Sequence, residues 1–379
     1  MRRVLILGGG FGGVATAHAL REKLPPDDEI SVVERRTHFM LGLRKTWALT
    51  GQSSLEAGQR PVAALERQGI RVIRGAITAI DPAARAAEVD GRRMEADAVV
   101  VALGAELAPG LVPGFQSYAF NVYDPLDIPR AAEALRTFSG GRVVVGIFGA
   151  PYKCPPAPYE MALLLKDFFR ARGVQASLEA FTPQPMSLPI LGQTGCSVVE
   201  SRLEQHGVTF LPSHKATAVE AGEIVFANER RPYDLLLGVP PHRCPEVVVQ
   251  SGLTDGGGWV RVNPRTLETR FPAVYAIGDL TEILLANGMP LPKAGVFAEG
   301  QGQIVAERIA AAFAGRAAEA TFEGAGYCFM EVGSGQALLV RGHFLAEPAP
   351  DVTITEPSQQ YLDEKHAFEA ERLRAWFGG

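Results

Sequence analysis

The apolar positions near the start of the chain come in short unbroken runs rather than in a helical period. VLIL (4–7), the ISVV of DDEISVVE and the AVVV within ADAVVVALGA (97–106) are each bounded by polar residues or glycine. Short runs without alternation are strands buried on both faces, as in a parallel sheet flanked by helices. Between the first two lies VATAHALREKL, a helix whose small residues face the sheet, so residues 4–34 read as a β-α-β unit. The rhythm returns with GGRVVVGIFGAP as strand and turn, YEMALLLKDFFRARG as an amphipathic helix and VQASLEAFTP as a strand. It resumes with FPAVYAIGDLTE (271–282), a strand ending in a turn, and LPKAGVFAEGQGQIVAERIAAAF, a helix rich in small residues. The expected class is α/β, with two Rossmann-like dinucleotide-binding domains, the second inserted in the first, plus a short C-terminal region. The expected boundaries are 1–114 with 251–325 for the first domain, 115–250 for the second and 326–379 for the C-terminal region.

The first turn carries chemistry. Gly8-x-Gly10-x-x-Gly13 stands between strand and helix, and Glu34 ends the next strand 21 residues later. The first glycine allows the tight turn, the second lets a pyrophosphate approach the backbone, and the third lets helix and strand pack closely. Glu34 is placed to accept a hydrogen bond from a ribose hydroxyl. This motif alone serves FAD and NAD alike.

Composition narrows the partners. A formal charge of −5 without a long Lys/Arg run excludes a nucleic-acid surface. The apolar run before the first glycines is only VLIL, against the ~7–15 residues of a signal-peptide core, and no stretch of ~18 apolar residues is present. The expected compartment is the cytoplasm, with the inner face of the membrane left open. The four cysteines, Cys154, Cys196, Cys244 and Cys328, form no CxxC and no zinc spacing with the seven scattered histidines, so no metal is expected. Cys196, placed in a loop, and Cys244 read as buried thiols.

Taken with the fingerprint, ADAVVVALGA and the Gly278-Asp279 segment resemble the two-dinucleotide-domain flavoproteins of disulfide reductase type. The resemblance implies FAD. Its expected contacts are Gly8, Gly10, Phe11, Gly12 and Gly13, then Glu34 and Arg35, then Lys45 and Thr46. Ala102, Gly104, Gly278, Asp279, Lys293, Ala294 and Gly295 complete the set. That family binds NAD(P)H in its second domain through another glycine fingerprint. Here the turn reads Gly146-x-x-Gly149-Ala150-Pro151, so the spacing is broken and Pro151 lacks the N–H a pyrophosphate would use.

Where the nicotinamide site would begin, the chain reads FGAPYKCPPAPYE (148–160). Prolines 151, 155, 156 and 158 hold Cys154 in a fixed orientation. Lys153 and the following helix start favour a thiolate, while Glu160 falls in that helix's first turn as a proton handler. The alternative, a stiff loop around an unreactive thiol, stays open on these residues alone.

The runs PYKCPPAPYE, YDLLLGVPPHR, GWVRVNPRTLET, YAIGDLT, LPKAGVFAEGQGQIVA and YCFMEVGSGQALLV together resemble the sulfide:quinone oxidoreductases and the flavocytochrome c sulfide dehydrogenases. The resemblance spans essentially the whole chain. It implies that Cys154 and Cys328, 174 residues apart, form a redox disulfide or persulfide beside the flavin. It also implies a sulfide or another small sulfur species as substrate and a quinone as acceptor, with Lys293 near flavin and acceptor. One feature departs from the pattern: the third cysteine common in sulfide:quinone oxidoreductases is missing from NVYDPLDIPRAAEAL.

The tail PSQQYLDEKHAFEAERLRAWFGG starts a partly apolar helix after Ser358, suited either to a membrane interface or to packing on its own domain or another subunit. Peripheral membrane contact and a homo-oligomer both stay open. Two other functions also remain: an NAD(P)H-dependent flavoenzyme such as a type II NADH dehydrogenase or persulfide reductase, and a flavoprotein subunit donating to a separate protein.

Overall fold

The structure is a computed structural model and describes residues 1–256 and 258–378. Its first layer is a five-stranded sheet. Strand β1 (Arg3–Leu7) lies between β2 (Glu29–Glu34) and β4 (Ala98–Val101), with β3 (Arg71–Arg74) beyond β2 and the late strand Val274–Ala276 beyond β4. Every pairing in it is parallel. The unbroken apolar runs therefore mark buried strands: Val4, Leu5, Ile6, Leu7, Val99, Val100 and Val101 are all buried. Helix α1 (Phe11–Lys23) packs on this sheet and against a long helix, Gly295–Phe313. Small residues permit that contact, since a Cβ at Gly302 would lie 2.5 Å from Thr16 Oγ1.

The second sheet is also five-stranded and wholly parallel. It is built from Phe120–Asn121, Gly141–Ile147, Ala176–Phe181, Val208–Leu211 and Leu235–Val239. Helix Ala157–Ala171 runs back from the cysteine loop with Met161, Leu165 and Phe169 buried. Cys196 is not in a loop as the sequence suggested. It sits in helix Gly192–Gln205, fully buried with Val199 and Leu203, because the i, i+3, i+7 apolar spacing outweighs the glycines around it.

A third, antiparallel sheet follows: Ala325–Gly333, Gln336–His343 and Asp351–Ile354. The chain ends in helix Gln359–Phe377, whose Ser358 cap accepts from the Tyr361 N–H. The apolar side of this helix is consumed internally. Leu373, Trp376 and Phe377 are buried, and the Trp376 ring stands edge-on to Phe11 and Phe39. Those aromatics are thus not available to a lipid surface. Among the described residues no helix is long and apolar enough to cross a membrane.

Candidate functional site

The glycine turn has the shape its spacing demands. Gly8 adopts φ +107°, and a Cβ on Gly13 would collide with the Gly8 carbonyl, so helix and turn meet with no side chain between them. A Cβ on Gly10 would meet nothing within 4 Å, which leaves the approach to the first helix open where a pyrophosphate would come. Among the described residues no side chain caps that helix, and no acid occupies its first turn, so its N–H groups are open to an anion. Glu34 is buried at the end of β2 and accepts from the Gly9 N–H at 3.0 Å. Arg36, not Arg35, folds over it at 2.8 Å. Burial opposes ionisation of Glu34, but Arg36 and the two backbone N–H bonds outweigh it and hold its pKa below the usual carboxylate value.

Gly278 and Asp279 follow the late strand of the same sheet. The Gly278 N–H is held by Oε1 of the buried Gln301 at 2.7 Å, a contact that the sequence did not single out. Asp279 is half-buried, and burial raises its pKa against the pull of Lys153 and Lys293. Lys293 is no surface lysine: it is buried, donates to the Asp279 and Thr281 carbonyls at 2.6 and 3.3 Å, and lies 3.5 Å from the centre of the Trp259 ring. Burial lowers its pKa to about 8. Ala294 precedes the long helix that Gly295 opens, and Ala102 and Gly104 follow β4. Lys45 and Thr46 lie on the short helix Arg44–Leu49, with Thr46 buried. These residues fit a dinucleotide laid across the carboxyl ends of the first sheet.

Cys154 is fixed from three sides. Its backbone is left-handed at φ +49°, its N–H donates to the Lys293 carbonyl at 2.7 Å, and its own carbonyl accepts from the Tyr123 hydroxyl at 3.1 Å. The residue as a whole is exposed. Cys328 arrives on strand Ala325–Gly333, where its thiol donates to the Phe329 carbonyl at 3.5 Å and stands beside that of Cys154. Each thiol is the largest influence on the other: their interaction lowers the pKa of Cys154 and, with burial, raises that of Cys328 well above the ordinary thiol value. Helix and sheet packing thus closes a gap of 174 residues.

Around the pair stand groups of two kinds. On one side Lys45, Lys153 and Lys293 gather, and burial, with Lys153 next, brings Lys45 to about 8. On the other side Glu160 is buried in a network. Its Oε2 pairs with Lys365 Nζ at 2.7 Å and accepts from the Glu331 N–H at 2.8 Å. Lys365 also reaches Glu331 at 2.8 Å, and Trp47 Nε1 donates to the same Glu331 oxygen at 2.6 Å. Burial raises the pKa of Glu160 despite Lys365. The sequence offered only faint signs of this network, the clearest being an acid inside the apolar strand run FMEVG.

The second sheet's turn is filled. Pro241 packs on Gly149, where a Cβ would lie 3.0 Å from it, and the Gly146 position is closed by the Phe181 ring. A second dinucleotide therefore lacks the open glycine approach that Gly10 provides in the first.

The sequence pattern of the "Pyridine nucleotide-disulphide oxidoreductase" family matches residues 2–302. Among characterised proteins, a mitochondrial sulfide:quinone oxidoreductase of Mus musculus is 22% identical over 363 residues, 91% of this chain and 79% of that one. A type II NADH:quinone oxidoreductase of Staphylococcus saprophyticus is 23% identical, over 81% of this chain and 82% of its own. The X-ray structure of the sulfide:quinone oxidoreductase of Aquifex aeolicus superposes with a TM-score of 0.90 at 22% identity, covering 100% of this chain and 92% of that one. This last likeness shows the fold.

Proposed function

The chain belongs to the pyridine nucleotide-disulphide oxidoreductase family, and from that premise we propose that it oxidises sulfide through Cys154 and Cys328 and delivers the electrons by way of FAD to a quinone. It is an FAD-dependent oxidoreductase. The observation that carries the sulfide reading is the pair of thiols meeting beside Lys293, in a loop that replaces the second fingerprint.

In the oxidised pair, hydrosulfide attacks one sulfur of the disulfide. The S–S bond breaks, a persulfide forms on the attacked cysteine, and the other cysteine leaves as thiolate. A second hydrosulfide takes the outer sulfur as disulfane, leaving two reduced cysteines. When bound, FAD supplies the two-electron acceptor that lets the disulfide re-form and passes the pair onward. Lys365 and Lys45 favour the Cys154 thiolate electrostatically, while the proline-rich loop keeps Cys154 aimed at Cys328. The Glu160–Lys365–Glu331 network holds a proton site next to the pair. Strand residues Tyr327 and Phe329, flanking Cys328, pack on Phe368 of the last helix, and we assign the acceptor to this aromatic face of residues 326–379.

Anaerobic mixing with hydrosulfide in one cuvette and NADH in another tests the assignment. Bleaching of the flavin by hydrosulfide is the expected result. Bleaching by NADH alone would move the protein to the NADH:quinone branch.

The lysines add a pH dependence. Lys45 and Lys293 carry charge below about pH 8 and lose it above. Attack of sulfite on the oxidised pair is therefore expected to slow as pH rises through that value. Lys45→Gln should be slower at neutral pH and respond less steeply. A rate that is flat across this range would remove the lysines from the site's electrostatics.

A further inference from the structure

One histidine in the site belongs to none of the groups assigned above. His242 follows strand Leu235–Val239 and packs edge-on against Tyr123, ring centres 5.6 Å apart. Its Nδ1 lies 2.9 Å from the Pro240 carbonyl oxygen. A carbonyl only accepts, so Nδ1 carries the hydrogen and Nε2 is left as a bare acceptor. Nε2 is buried and has no partner among the described residues. Unpaired buried acceptors are rare in folded proteins and call for an occupant. The imidazole stays neutral, since burial, with Lys153 next, pushes its pKa down to about 3.

The surroundings say what that occupant is. Tyr123 links His242 to Cys154, donating to the Cys154 carbonyl at 3.1 Å, and Lys45 Nζ stands 5.9 Å from the centre of the Tyr123 ring. Lys153 adjoins Cys154 in the chain. A small ligand here meets ammonium groups and one hydrogen-bond acceptor. An anion that keeps a single hydrogen satisfies both.

We propose that His242, Lys45 and Lys153 form the hydrosulfide docking site beside Cys154, with Nε2 of the neutral imidazole accepting the S–H hydrogen and the ammonium groups facing the charged sulfur. This rests on the sulfide reading of the cysteine pair. The docked anion keeps its hydrogen throughout the attack. Its sulfur lone pair makes the new S–S bond, the Cys154–Cys328 bond breaks, and its electron pair departs on the displaced cysteine. His242 selects for a nucleophile that carries a hydrogen, which a purely cationic site would not do.

The test compares hydrosulfide with sulfite, which attacks the same disulfide but has no hydrogen to donate once ionised. Flavin reduction by hydrosulfide is followed anaerobically in the holoenzyme, and the sulfite adduct on the cysteines is followed by mass spectrometry. His242→Leu is expected to raise the half-saturating hydrosulfide concentration about tenfold, the loss of one hydrogen bond to an ion, with little change in the limiting rate. Its sulfite reaction should stay at the wild-type level. His242→Gln, which restores an acceptor, should recover most of the hydrosulfide affinity. His242→Asn can still donate to Pro240 but places no acceptor at Nε2, so it replaces the leucine variant if that one loses FAD. Lys45→Gln should weaken both reactions. Equal losses for hydrosulfide and sulfite in the His242 variants, or no loss in either, would overturn the proposal. A wild-type holoenzyme that hydrosulfide does not reduce would instead overturn the sulfide reading itself.

Discussion

Cys154→Ser holoenzyme mixed anaerobically with hydrosulfide keeps its FAD and loses flavin reduction by roughly 10³-fold or more. The residues expected to hold the cofactor, from Gly8 to Gly295, do not depend on the thiol. The Cys154 N–H donates to the Lys293 carbonyl, and serine keeps that backbone. What disappears is the disulfide that hydrosulfide must open. Cys328→Ser should lose as much, and the double variant no more than either single one, because the two sulfurs act as a unit. Wild-type reduction rates in Cys154→Ser would place the chemistry elsewhere.

The second large effect is on stability. Lys365→Met removes the one ammonium shared by two buried carboxylates, Glu160 and Glu331. Removing one partner of a buried charged group costs about 3–5 kcal/mol, because the remaining charge loses its compensation and stays out of water. The pH dependence has a definite sign. In the wild type, Glu160 and Glu331 overcome burial and raise the pKa of Lys365, so its contribution holds below the ordinary lysine value and fades only in strong alkali. In the variant, Glu160, already raised by burial, rises further. A carboxyl with a raised folded pKa loses stability as pH climbs from its unfolded value, about 4.3, through the raised one. Denaturant titrations should therefore find a deficit that is small near about pH 4 and grows as pH climbs through the raised Glu160 value. A deficit independent of pH would mean that the lysine stem, not its charge, holds the last helix in place.

This network also marks how far the sequence could be read. The parallel sheets were legible because VLIL, ISVV and AVVV are too short and too evenly apolar to be anything but strands buried on both faces. The glycine turn was legible because its constraint is local: Gly13 abuts Gly8 within one turn of chain. The broken second fingerprint was equally local, and the structure adds that Pro241 and Phe181 fill the space.

The sequence could not supply partners. Glu160 stood in the sequence as a lone acid at a helix start; its lysine lies 205 residues away and the second acid 171 away. Arg44 and Glu369, a buried pair separated by 325 residues, have the same character. His242 looked like one more unremarkable histidine, since its bare Nε2 exists only once Pro240 and Tyr123 are in place. By its sequence the final helix suits a membrane interface, its own domain or another subunit. Only the fold decides that Trp376 and Phe377 go inward against Phe39.

By itself the sequence determined the two-sheet α/β plan, the dinucleotide turn and the proline-braced Cys154. Each of these follows from backbone geometry and apolar runs over a few neighbouring residues. The tertiary structure decided which thiol Cys154 meets, which charges surround it and which polar atoms are left without a partner. Those are matters of distance between remote segments, and they take values only when the sheets and the last helix have packed.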